Sequence, residues 1–133
     1  MKKDIEQTED IKFLVDTFYQ EVLQNDRISF FFTEHMQISL SAHMPTMYSF
    51  WETMILDQRS YQGNPMLKHL KLNQKAPLKA EHFDIWLELW ETTVFKHFEG
   101  PKAELAVTKA HSIRKLMEFK IKNQNNDQGF RLI

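Results

Sequence analysis

Apolar side chains recur along this chain with the period of a helix rather than that of a strand. Between residues 9 and 24, Ile11, Leu14, Val15, Phe18, Tyr19, Val22 and Leu23 fall at spacings of 3, 4, 7, 8, 11 and 12 from the first. Such spacing defines one continuous buried face, with Thr8 as the expected N-cap and Asn25-Asp26 as the stop. The short stretch Arg27 to Phe32 ends in three phenylalanines and predicts a turn or two of helix carrying a hydrophobic plug. A second long stripe runs through Leu40, His43, Met44, Met47, Phe50, Trp51, Met54 and Ile55. Proline is tolerated in the first turn of a helix, where its missing N–H is not needed, so Pro45 leaves two readings. The regular helix begins near Ala42 to Met44, or it is kinked there. A loop over Asp57 to Asn64 follows, and Asn64-Pro65 opens a very short helix through Met66-Leu67-Lys68-His69. Beyond a polar connection centred on Asn73 to Pro77, Phe83, Trp86, Leu87, Trp90, Val94 and Phe98 form a third stripe. Gly100-Pro101 ends it and starts a fourth, through Ala103, Ala106, Ala110, Ile113, Met117 and Ile121. The expected fold class is all-α, with four main helices and two short ones in a single domain over residues 1–133. Residues 1–8 form an N-terminal extension, and the polar tail 123–133 frays.

Composition supports this and narrows the chemistry. Only 3 glycines and 4 prolines occur in 133 residues, against about 9 and about 7 for average usage, which disfavours the many tight turns of an all-β protein. With no cysteine, disulfide scaffolds, thiol catalysis and thiolate metal sites are excluded. Seventeen basic residues against 18 acidic ones give a net charge of -1, which argues against a general nucleic-acid or acidic-membrane binder. The N-terminus Met1-Lys2-Lys3-Asp4-Ile5-Glu6 lacks the apolar run of a signal peptide, and no stretch is apolar enough for a membrane span. A cytoplasmic protein is therefore expected. Eleven Phe, three Trp, three Tyr and seven Met fill a core or line a pocket for a flat apolar ligand, and composition alone does not choose.

Six histidines are the main chemical candidates. They form neither a His-Glu-x-x-His motif nor an i, i+4 pair, and no Glu is followed three positions later by His, so a metal held by several side chains is poorly supported. A single axial imidazole on a haem iron needs only one histidine and an apolar slot.

Several segments carry a specific resemblance. Phe18-Tyr19, Phe32, His43 with Met47 and Phe50-Trp51, the run Tyr61-Gln62-Gly63-Asn64-Pro65-Met66-Leu67-Lys68-His69-Leu70, and His82-Phe83-Asp84-Ile85-Trp86-Leu87 closely resemble the group III truncated haemoglobins. That resemblance covers about Ile11 to Met117 and implies a two-over-two helical sandwich with a bound haem b. It makes His69 the proximal ligand of the iron. Tyr19, His43 and Trp86 take the family's distal polar positions, and Phe32, Met47, Phe18, Lys68 and Tyr61 join the cofactor-binding set. Lys68, Lys71 and Arg59 are read either as partners of the propionates or as solvated cations. His43 is left with two orientations by Pro45, toward solvent or toward the iron. His82 is expected to start a helix, and His35, His97 and His111 to be ordinary surface or partly buried histidines.

Function follows from the same resemblance. Tyr19 and Trp86 would form a donor pair suited to a ligand that gains negative charge on binding, as dioxygen does. Dioxygen and other diatomics such as nitric oxide or carbon monoxide are the expected ligands. Nitric-oxide dioxygenation or peroxidase-like chemistry would require an external electron donor, because the sequence carries no flavin or nicotinamide site. The alternative is a globin-fold sensor or interaction module that signals through a partner without turnover.

Overall fold

In the computed structural model the described backbone comprises residues 2–34, 40–57, 61, 63 and 65–131, with side chains described for these except at 40, 65–67, 75 and 125–131. Six helices follow one another: α1 (Thr8–Gln24), α2 (Phe30–Thr33), α3 (Leu40–Leu56), α4 (Pro65–Lys75), α5 (Ala80–His97) and α6 (Pro101–Arg131). Helix α1 packs on α3 and on α5, and α6 packs on α5, on α3 and on α4. Four long helices thus close a ring in two layers, the two-over-two arrangement expected from the sequence.

Each layer forms because the apolar stripes face inward. Ile11, Leu14, Val15, Phe18 and Val22 of α1 are buried against Trp51 and Ile55 of α3 and against Leu87, Trp90 and Val94 of α5. On α6 the facing residues are small. Ala103, Ala106 and Ala110 are wholly buried, and short side chains let helix axes approach closely. Trp90 fills the resulting space. Its ring stacks on Trp51 with centroids 4.2 Å apart, and its indole N–H donates to the Ala106 carbonyl at 3.1 Å.

Residues 2–7 strap the α5–α6 corner. Lys3 bridges Phe98, its carbonyl accepts from the Glu99 amide at 3.0 Å, and Ile5 is 1% exposed. The Asp4 carboxylate accepts from the amides of Lys102 and Ala103, both at 2.9 Å, so a residue remote in sequence satisfies two of the free donors in the first turn of α6. Gly100, at φ +130, makes the corner, and a Cβ there would come within 2.7 Å of Asp4 Cγ. Pro101 then opens α6 with a φ suited to helix and no N–H to leave unbonded.

Three local expectations change. Gln7, not Thr8, is the N-cap position of α1. Thr8 donates instead to Glu52 of α3 at 2.6 Å, while Asp10 reaches back to accept from the amides of Glu6 and Gln7. Helix α3 starts at Leu40 and carries Pro45 inside it. The burial of Phe50, Trp51 and Ile55, with Met44 and Met47 packed beside them, outweighs the one backbone bond a proline cannot give. Helix α4 is not a single turn but runs 11 residues, into the stretch read as polar connection. Leu70 joins a second cluster with Phe83, Met117 and Ile121, Leu72 joins the main core, and buried Asn73 accepts from the Leu78 amide at 2.9 Å and donates to Gln124. The backbone of α6 stays helical past Asn123 to Arg131.

Two consequences are measurable by denaturant unfolding. Asp4→Ala should cost about 1–2 kcal/mol, the usual penalty for losing a charged cap, and an unchanged midpoint would refute the strap. For Asp10, burial pushes the carboxyl up, but the Lys3 ammonium and the Glu6 and Gln7 amides outweigh it and hold the group below the ordinary carboxylate value. Its stabilisation is therefore complete above the unfolded value and disappears as pH falls through the lower folded one. Asp10→Asn should be less stable than the parent near neutrality and converge with it below about pH 4.

Candidate functional site

The second half of α1, the single turn α2 and the first half of α3 bring their aromatic residues to one end of the bundle. The Tyr19 ring stands edge-on to Phe18 at 5.1 Å, to Phe32 at 5.5 Å and to the His43 imidazole at 6.1 Å. Phe18 in turn meets Trp86 edge-on at 6.3 Å. Four of the sequence-predicted residues, on four different helices, therefore converge around Phe18 and Tyr19: Phe32 from α2, His43 from α3 and Trp86 from α5, with Tyr19 itself from α1. Met47, one turn after His43, packs half-buried against the main core.

The polar atoms of this cluster are arranged unusually. Tyr19 is 8% exposed, and burial drives its phenol pKa up. Among the described residues its hydroxyl has no hydrogen-bond partner, and neither has the Trp86 indole N–H, whereas Trp90, one turn further along α5, donates to a carbonyl. Burial also lowers the pKa of His43, with the charges of Lys68 and His69 as further causes, so α4 presents its cationic side to the same imidazole. His69, the fifth residue of α4, is half-buried, and Lys68 and Lys71 are exposed.

Tyr61 takes a separate place. Its ring is edge-on to Phe50 at 5.3 Å, its amide donates to Thr53 Oγ1, and its hydroxyl is buried without a hydrogen-bond partner among the described residues. A Cβ on Gly63 would approach that hydroxyl to 2.5 Å, so the glycine leaves the room the phenol occupies. Tyr61 makes no ring contact with Tyr19, His43 or Phe32 among the described residues. The sequence gave no sign that Phe50 would link it to Trp51.

Other histidines behave structurally. His82 is in the first turn of α5, where its Nδ1 accepts from the Lys79 amide at 3.0 Å and its ring meets Phe31 at 4.9 Å. His97 stands edge-on to Phe13, and His111 is exposed. His35, Arg59, Gln62 and Asn64 lie outside the described residues, as do the side chains of Met66 and Leu67. Among the described residues no three His, Asp or Glu side chains come together to hold a metal ion, and no helix is long and apolar enough to cross a membrane. What the cluster offers is a group of aromatic side chains with Tyr19 and Trp86 donors that no described residue accepts, and the His69 imidazole on α4 close enough for its charge to act on His43. Such a site suits a flat apolar group with polar edges.

No protein-family model matches the chain. It is 31% identical over 97 residues to the group 3 truncated hemoglobin ctb of Campylobacter jejuni, covering 71% of this chain and 74% of that protein. The crystal structure of group III truncated hemoglobin from Campylobacter jejuni superposes with a TM-score of 0.80 at 26% identity, over 91% of this chain and 95% of the other. Matched in sequence over most of its length and in fold over nearly all of it, the chain belongs to the group III truncated haemoglobins.

Proposed function

We propose that this protein binds haem through His69 and takes dioxygen, nitric oxide or carbon monoxide on the Tyr19 side. The observation that carries the reading is the pair of donors flanking Phe18, the Tyr19 hydroxyl and the Trp86 indole N–H, neither of which meets an acceptor among the described residues. Neither is among the fully buried unpartnered atoms, so both stay open to an incoming group, and a ligand with a charged acceptor atom would take them up in place of water. Haem, when bound, would supply an iron able to take a diatomic molecule.

The chain's own residues set what happens to that molecule. The Tyr19 phenol, with its pKa driven up by burial, stays protonated and donates. Trp86 can only donate. Both therefore favour a ligand whose outer atom gains negative charge, and each such bond contributes about 1.5–3 kcal/mol. His43, with its pKa lowered by burial first and by the Lys68 and His69 charges next, is neutral and able either to donate or to accept. Phe32 and Met47 wall the site against water, and Tyr61, with its buried unbonded hydroxyl, is suited to a propionate edge. Tight retention of dioxygen suits a reaction on the bound molecule, nitric-oxide dioxygenation or peroxidase-like oxidation, with electrons from a separate donor.

Absorption spectroscopy of protein produced with haem supply tests the cofactor. A Soret band should be present in the parent and lost or shifted in His69→Ala, with added imidazole restoring it; an unchanged band in the variant would refute His69 as the ligand. Stopped-flow measurement of dioxygen release tests the donors. Tyr19→Phe and Trp86→Phe should each speed release roughly tenfold or more, the equivalent of one hydrogen bond to a charged acceptor. Unaltered rates in both would remove the donor pair.

A further inference from the structure

The chain has three tryptophans and three tyrosines, and their placement is not explained by packing alone. Trp86 is at the site, and Trp90 lies one turn along the same face of α5. Trp51 of α3 stacks on Trp90 with centroids 4.2 Å apart and planes 23° from parallel. Tyr48 lies one turn before Trp51 on α3. One stacked pair, Trp90 on Trp51, therefore lies between Trp86, one turn away on α5, and half-exposed Tyr48, one turn away on α3.

That tyrosine differs from the other two. The Tyr48 hydroxyl donates a hydrogen bond to the Asp16 carboxylate of α1, which with burial pushes its pKa up to about 12. Neither Tyr19 nor Tyr61 has an acceptor among the described residues. Removing an electron from a phenol makes it a very strong acid, so oxidation is easy only where a base takes the proton. In addition, Lys12 Nζ lies 5.9 Å from the centre of the Tyr48 ring. A cation over the ring opposes positive charge on it, which favours loss of the proton together with the electron.

We propose that Trp86, Trp90, Trp51 and Tyr48 form a route by which a one-electron oxidation leaves the site and comes to rest on Tyr48, with Asp16 as the proton acceptor. The Tyr48 O–H bond breaks, the proton forms an O–H bond on Asp16, and the electron passes to oxidised Trp51 and along the tryptophans inward. The oxidant is a hydroperoxide acting through haem, so this part rests on the haem reading. Of the two electrons that its O–O bond takes up on breaking, one would come from this line and the other from the bound haem group. Such a route moves the damaging equivalent away from the site and makes Tyr48 the place where tyrosyl coupling or reduction by an external donor occurs.

The test has two arms on the full-length protein, with circular dichroism confirming the fold of each variant. In the first, photogenerated ruthenium(III) polypyridyl oxidises the protein from solution; in the second, hydrogen peroxide is added to protein whose Soret band shows bound haem. Tyrosyl radical is read by freeze-quench electron paramagnetic resonance and dityrosine by fluorescence. In both arms Tyr48→Phe should lose most of the signal, and Asp16→Asn, which keeps the tyrosine, should reduce it severalfold. Trp51→Phe should reduce the peroxide signal but not the photochemical one. A tyrosine that is merely exposed would be indifferent to Asp16→Asn, so parent-like yields in that variant overturn the proposal, as does a full signal in Tyr48→Phe. A peroxide signal unaffected by Trp51→Phe overturns the tryptophan route. Absence of a Soret band would remove the haem reading instead, and the photochemical arm would then decide the roles of Tyr48 and Asp16.

Discussion

Trp90 is the contact on which the arrangement of the long helices depends. It is wholly buried, it stacks on Trp51 of α3, it meets Phe18 of α1 edge-on at 5.0 Å, and it donates to the Ala106 carbonyl of α6. One side chain on α5 thus touches each of the other three long helices. Interiors pack at crystal-like density and shift little without cost, and an indole is large, rigid and directional through its N–H. The wholly buried Ala103, Ala106 and Ala110 are the other half of the same constraint, since larger side chains there would hold α6 off the indole. Because Phe18 is pinned against Trp90, its neighbours Tyr19 and Trp86 are placed as well. The position of the candidate site is therefore a consequence of how the core closes.

The stripes that build this core were legible in the sequence because helical periodicity is a local property. Trp90 and Trp86 belong to the same stripe and could not be told apart by spacing; only tertiary placement gives Trp90 the Ala106 carbonyl and sets Trp86 against Phe18. Helix ends were read well where backbone chemistry dictates them, at Asn25 and at Gly100-Pro101. They were misread where side chains from elsewhere decide. Asn73 looks like a loop residue, yet it caps the end of α4 by accepting from Leu78. Pro45 left two readings, a helix start near Ala42 to Met44 or a kink there, and the packing of its neighbours carries α3 back to Leu40 with the proline inside it. The strap made by Asp4 was invisible, because nothing in sequence relates it to residues 102 and 103. Of the site itself, Tyr19, Phe32, His43 and Trp86 come together around Phe18, whereas Tyr61 packs on Phe50.

Polar groups are distributed unevenly between the two ends of the fold. At the α5–α6 corner they are consistently paired: Asp4 with two amides, Lys3 with Asp10 at 2.8 Å, Lys2 with the Phe95 carbonyl. At the site end, Tyr19, Trp86 and Tyr61 hold donors that no described residue accepts. The thirteen residues of α5 and its C-cap from Trp86 to Phe98 place these ends about 18 Å apart along a helix axis. Paired polar groups thus hold the corner, while the backbone of the site end is fixed by Trp90. Proteins commonly trade stability for function at their sites; here the separation lets the donors change without loosening the corner, because the residues that hold the corner are not those that would meet a ligand.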